Sequence, residues 1–146
     1  MSNLVRRTLD NYEFILIIHE MVKIARPVRP LLWVASSKRD YGEFPERVQD
    51  EFGFQLHLAQ TGQHPPSAKP LKGLVSGIVE LVEDFDRSTY RAVYTVRFGD
   101  AVYVLHAFKK KSKQGIKTPQ SDIELIRRRL KDAEQDHAQR FKKEGR

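Results

Sequence analysis

A few charged residues in the second half of the sequence could act together on a phosphodiester. Arg91 lies in the strand-like stretch 90–96, Glu80 lies in the strand-like stretch before it, and a third stretch carries His106 and leads into lysines from Lys109 onward. An arginine can donate two parallel hydrogen bonds to phosphate oxygens, and a lysine adds compact positive charge. A carboxylate near a ribose 2′-hydroxyl can serve as a general base, with a histidine or lysine as the acid.

The strand pattern predicts which of these side chains share a face. A two-residue turn at Arg87 and Ser88 would place residue 84 opposite 91 and residue 80 opposite 95. In this register the polar side carries Glu80, Val82, Asp84 and Arg91, whereas a slip by one residue would bring Glu83 there instead. On the third strand, alternation puts Val102, Val104, His106 and Phe108 on one side.

Each of these residues also has a simpler structural interpretation. Arg91 can pair with Asp84 across the hairpin, a single histidine is more often a structural hydrogen-bonding residue, and a lysine cluster is usually a solvated loop. Residue pattern alone favours these interpretations and predicts no more than an α+β domain with a basic end.

The elements that would position the candidates follow from the apolar pattern. We expect a buried strand at residues 31–35, a loop at 36–42, a helix from Pro45 to Thr61, and an antiparallel meander of strands at 78–82, 90–96 and 101–108. A long helix should follow Thr118, the predicted N-cap, with Arg127, Arg128, Arg129 and Lys131 facing mostly outward. The predicted fold is a small twisted, mainly antiparallel sheet with helices on one face and the other face partly open.

Composition and charge limit the function classes. The 146 residues include no cysteine, and the five histidines have no metal-ligand spacing, so thiolate chemistry is excluded and no metal site is expected. Residues 1–96 carry 12 basic and 12 acidic side chains, whereas residues 97–146 carry 14 and 7, so the whole excess of +7 lies in the last third. Such asymmetry indicates either a polyanionic partner or a solvated basic face.

Three segments are expected. Residues 1–28 form an N-terminal extension, either a helical appendage or an over-extended start of the reading frame; residues 29–138 form the domain, and residues 139–146 a polar tail. The apolar run at residues 14–18 is far too short to span a membrane, which favours a soluble cytoplasmic protein with no membrane partner.

A series of short motifs resembles the phage-derived branch of the RelE/HigB-like toxins of type II toxin–antitoxin systems. The motifs are PLKGL at residues 70–74, VEL at 79–81, YRAVY at 90–94, VLHAFKKKS at 104–112 and KTP at 117–119. Upstream, residues 33–37 and the helix from Phe44 also fit, so the resemblance spans about residues 31–135 in order and spacing. The family often has a basic residue in place of Val82 and an aromatic one in place of Val79.

This resemblance implies a fold, a reaction and a partner. The fold would be the RelE-like, microbial-RNase-like one, and the reaction a cofactor-free cleavage of mRNA, often on the ribosome, in which a 2′-oxygen attacks the neighbouring phosphorus. The partner would be an antitoxin, expected to be a small helix-turn-helix protein. The implied catalytic residues are Arg91 (phosphate), Glu80 (base), Lys110 and His106, and the implied RNA-binding residues are Lys72, Lys109, Lys111 and Lys113.

Two other functions stay open at this stage. A ParE-like toxin that inhibits DNA gyrase without cutting nucleic acid would share the fold, and Glu80 with the lysine cluster favours the nuclease only modestly. A catalytically silent RNA-binding module is the third possibility, because Val82 replaces a cation.

Overall fold

A computed structural model describes residues 10–24, 27–110 and 117–142 as four helices and a five-stranded sheet. In chain order the elements are α1 (Asn11–Ile24), β1 (Leu31–Trp33), α2 (Ser37–Gly42), α3 (Glu46–Gln60), β2 (Lys69–Pro70), β3 (Ile78–Phe85), β4 (Ser88–Thr95), β5 (Val102–Lys110) and α4 (Gln120–Arg140). The strand order is β1-β5-β4-β3-β2, with β1 parallel to β5 and the other pairs antiparallel. The α+β class and the mainly antiparallel sheet are confirmed. The helix α2 lies where a loop was expected, and the short strand β2 was not predicted.

The tight turn between β3 and β4 fixes the register of the central hairpin. Asp86 and Arg87 form it with φ values of 47° and 65°, and positive φ at both central residues is typical of the two-residue turn that matches strand twist. Val82 therefore lies opposite Arg91 and Glu80 opposite Val93. The predicted turn at Arg87 and Ser88 is wrong, but the error shifts the pairing by two residues, so the same side chains stay on the same face.

A β-bulge in β5 changes the face of the sheet on which the side chains after the bulge lie. Val93 pairs with His106 and Tyr94 with Val104, which leaves Leu105 as the extra residue. Val104 packs on the α3 side, whereas Leu105 packs with α4 and His106 bonds to it. The prediction that Val102 and Val104 share a face with His106 and Phe108 is therefore wrong, because simple alternation does not hold across a bulge.

Helices α3 and α4 cover opposite faces of the sheet. Val48, Phe52 and Leu56 of α3 pack against one face. Ile126 and Leu130 of α4 pack against the other. The expectation of helices on one face is corrected: the central strands are apolar on both sides, and each side needs its own cover.

A buried polar network joins α4 to the sheet. Arg129 donates to the Leu105 carbonyl at 3.0 Å, to Nδ1 of His106 at 3.3 Å and to the Ser36 hydroxyl at 2.9 Å, while Nε2 of His106 lies 2.8 Å from Asp122. Arg129 was predicted to face outward, yet it is buried with these partners. A neutral histidine that donates through Nε2 and accepts through Nδ1 satisfies both neighbours.

Helix α1 presents apolar side chains to solvent on several sides. Its large hydrophobic residues from Tyr12 to Val22 are 42–71% exposed. Across residues 10–24, 27–110 and 117–142, we find no helix with the length and apolar character that a membrane crossing requires.

The buried state of His106 makes stability depend on pH. Desolvation by burial, partly opposed by Asp122, holds the pKa of His106 below its ordinary value of 6.5. The unfolded chain therefore takes up a proton near pH 6.5 that the folded chain resists. The contribution of His106 to the free energy of unfolding is fully present above that pH. It falls as the pH drops below it, by at most about 1.4 kcal/mol per pH unit for this one group.

Urea unfolding at pH 7.5 and pH 5.5 checks this expectation. His106→Gln, whose amide can donate to Asp122 and accept from Arg129 without titrating, should lose less stability between the two pH values than the parent protein. An equal loss in both proteins would show that His106 does not carry the effect.

Candidate functional site

Glu80 and Arg91 form a buried ion pair on the face of the sheet that α4 covers. Nη1 of Arg91 lies 2.9 Å from Oε2 of Glu80, and the two residues are 3% and 8% exposed. They are diagonal neighbours, because Glu80 pairs with Val93, two residues beyond Arg91 on β4. The alternative pairing of Arg91 with Asp84 is wrong, since Asp84 accepts a hydrogen bond from Thr89 at 2.7 Å instead.

Among the residues that the structure describes, the Thr118 hydroxyl is the third member of this cluster. It donates to Oε2 of Glu80 at 2.5 Å and accepts from Nη1 of Arg91 at 3.0 Å. Thr118 is not the N-cap of α4 as predicted; Pro119 holds that position, and no side chain caps the helix there. Because a residue before proline favours extended backbone, Thr118 stays outside the helix and its hydroxyl is available to the sheet.

The lysines at the end of β5 diverge to opposite faces. Lys110 pairs with Thr89, on the face of Arg91, and its ammonium donates to the Lys117 carbonyl at 2.6 Å. Lys109 pairs with Tyr90, and its ammonium lies over that ring, 5.8 Å from the centroid. Tyr90 belongs to the core on the α3 side. Of these two lysines only Lys110 is brought to the Arg91 face; Lys111 and Lys113 lie outside the described residues.

The remaining candidates lie apart from the ion pair. Lys72 is on an exposed turn between β2 and β3, next to Gly73, whose carbonyl accepts from Arg127 of α4 at 3.3 Å. Both nitrogens of His106 are used by Asp122 and Arg129, so this ring takes part in the attachment of α4. Its ring also stacks on Phe108 at 4.6 Å, and Phe108 is the strand partner of Arg91.

The cluster has the parts for removing a proton from a hydroxyl group. A carboxylate accepts from a hydroxyl at short distance, and a guanidinium beside them can stabilise negative charge that develops nearby. In the part of the chain that the structure describes, no group of three or more histidine, aspartate or glutamate side chains could hold a metal ion. The site is closed rather than partly open as expected, so a phosphate can reach Arg91 only after neighbouring groups move.

Sequence reasoning found two members of the cluster and missed the third. Glu80 and Arg91 were singled out by charge within apolar strands, whereas Thr118 was interpreted as a helix cap. The signal for its role was present in the Thr-Pro pair, because the proline keeps the threonine outside the helix.

Comparison with known proteins identifies a family. No curated protein and no solved structure matches the chain. The family model described as phage-derived protein Gp49-like matches residues 39–131, more than half of the 146 residues, and this stretch includes Glu80, Arg91 and Lys110. The chain therefore belongs to the phage-derived Gp49-like family, which is associated with toxins of the RelE/HigB type in toxin–antitoxin systems.

Proposed function

We propose that this protein is the toxin of a type II toxin–antitoxin system and acts as an endoribonuclease that needs no metal. Its substrate is mRNA, cut on the ribosome, and a small antitoxin encoded beside it holds it inactive. The observation that carries the proposal is the buried cluster of Glu80, Arg91 and Thr118, in which a carboxylate, a guanidinium and a hydroxyl already meet at 2.5–3.0 Å.

In the proposed reaction Glu80 is the general base. Its carboxylate takes the proton of a ribose 2′-hydroxyl, and the 2′-oxygen attacks the adjacent phosphorus. The bond from phosphorus to the 5′-oxygen breaks, which leaves a 2′,3′-cyclic phosphate on one fragment and a 5′-hydroxyl on the other. Arg91 stabilises the charge that develops on the phosphate oxygens, and Lys110, on the same face, supplies the proton to the leaving oxygen.

A second candidate function has its own supporting observation. Glu80 and Arg91 are almost completely buried and so are not open to RNA in the resting fold, which favours a toxin that acts by binding a protein target rather than by cutting RNA. Inhibition of DNA gyrase is the specific form of this alternative. A supercoiling assay with purified toxin separates the two: inhibited gyrase together with intact transcripts would favour the binding toxin.

Removing the ion pair as a unit tests the proposed mechanism. A single change such as Arg91→Ala would leave Glu80 buried without its cation, at a cost of about 3–5 kcal/mol, and would confuse lost activity with lost fold. We expect the double variant Glu80→Gln/Arg91→Met to stay folded, to cut RNA at least about 100-fold more slowly and to relieve growth arrest.

The matched control is Arg97→Met/Glu134→Gln. It removes an exposed ion pair between Arg97, two residues after the end of β4, and Glu134 of α4. It should keep full toxicity. Mapping mRNA ends and thermal unfolding for both double variants decides the matter: a folded Glu80→Gln/Arg91→Met protein that still cuts at the parent rate would contradict the mechanism.

The divergence of the two lysines gives a second test. If Lys110 contacts a phosphate of single-stranded RNA, Lys110→Met should weaken binding and reduce the slope of log K against log salt by about 0.7. Lys109→Met, on the α3 face, should leave that slope nearly unchanged. Fluorescence anisotropy over a series of salt concentrations measures both, and equal effects of the two substitutions would refute the assignment.

A further inference from the structure

We propose that the Thr118 hydroxyl holds the place of the substrate's 2′-hydroxyl in the resting protein, and that RNA binding exchanges one hydroxyl for the other. This inference rests on the proposed function, since it names how the same cluster receives its substrate. Thr118 thus occupies the place of the substrate hydroxyl in the resting protein and takes no part in the reaction itself.

The hydrogen bonds of Thr118 are the ones that a nucleophilic 2′-hydroxyl needs. Its one proton is directed to Oε2 of Glu80 at 2.5 Å, and its oxygen accepts from Nη1 of Arg91 at 3.0 Å. A ribose 2′-hydroxyl also has one proton and an accepting oxygen. With this hydroxyl in the same position, its proton would point at the proposed base, and the adjacent phosphate would lie near the arginine.

The Thr118 hydroxyl does not cap helix α4. The first turn of the helix closes through a backbone bond from Ile123 to the Pro119 carbonyl, without a side-chain cap. Thr118 is partly exposed, whereas Glu80 and Arg91 are buried. The ammonium of Lys110 donates to the carbonyl of Lys117, the residue that precedes Thr118. A shift of residues 117–118 would therefore affect Thr118 and Lys110 together.

Removing the hydroxyl should therefore favour the substrate. With Thr118→Val, the isosteric side chain gives Glu80 and Arg91 no hydrogen bond, and an incoming 2′-hydroxyl no longer has to displace one. We expect roughly a tenfold fall in KM for RNA, little change in kcat and a lower Tm. Thr118→Ser keeps the hydroxyl and should restore the parent KM, which a purely steric role of the threonine methyl group would not allow.

A binding measurement tests the exchange without any cleavage. Nucleoside 3′-monophosphates carry a 2′-hydroxyl beside a phosphate and cannot be cut, and their 2′-deoxy forms lack only that hydroxyl. Calorimetry with all four bases should show that Thr118→Val binds the ribose forms roughly tenfold more tightly than the parent, with a clearly smaller gain for the deoxy forms.

The outcomes separate this inference from the proposed function. Selective tightening without RNA cleavage by any variant would refute the nuclease but keep the hydroxyl exchange at a ribonucleotide site. Equal tightening for ribose and deoxyribose forms, or no tightening, would overturn the exchange even if the protein cuts RNA. Thr118→Ala is measured in parallel, and if neither variant folds, Thr118 is a structural residue and the proposal fails.

Discussion

Placing a carboxylate and a guanidinium side by side inside this small sheet is the constraint that organises its centre. Glu80 and Arg91 each lose most of their hydration, and their attraction offsets that loss only when geometry and hydrogen bonding are good. The register of the β3–β4 hairpin brings them together, and the Thr118 hydroxyl bonds to both. The pair therefore ties together two strands and the segment that leads into α4.

Stability alone does not account for this pair. Replacing a buried ion pair with apolar side chains of similar volume is often neutral or stabilising, so a folded domain has no need of one at this position. The surrounding face supplies apolar partners, since Ile78 and Val93 pack there beneath α4. The chemical role that we propose would give a reason for placing charge in an apolar setting, because a low local dielectric strengthens the action of both groups on a hydroxyl or a phosphate.

The sequence was sufficient for most of the elements, though not for α2 or β2, and for part of the site, for reasons that particular residues illustrate. Side chains in a strand alternate with a period of two, so an error of one residue in the turn, which shifts the pairing by two, left Glu80 and Arg91 on one face. The bulge at Leu105 interrupts this alternation, and the alternating sequence pattern does not reveal where it lies. The burial of Arg129 and the place of Thr118 depend on where α4 lies, a tertiary fact that the helix's own sequence does not contain.

The positively charged residues in the last third of the chain do not form one surface, because the fold places them in different surroundings. Arg129 is buried and donates hydrogen bonds to a carbonyl, a histidine and a hydroxyl. The ammonium of Lys109 lies over Tyr90 on the α3 side. Lys110 is directed to the face of Arg91, where it bonds to the backbone just before Thr118. Net charge indicates a polyanionic partner only through those cations that the fold gathers on one side of the sheet. Here Lys110 and Arg91 share that side, and both also bond to the segment that carries Thr118, so the closed cluster and the electrostatics of the site are one arrangement.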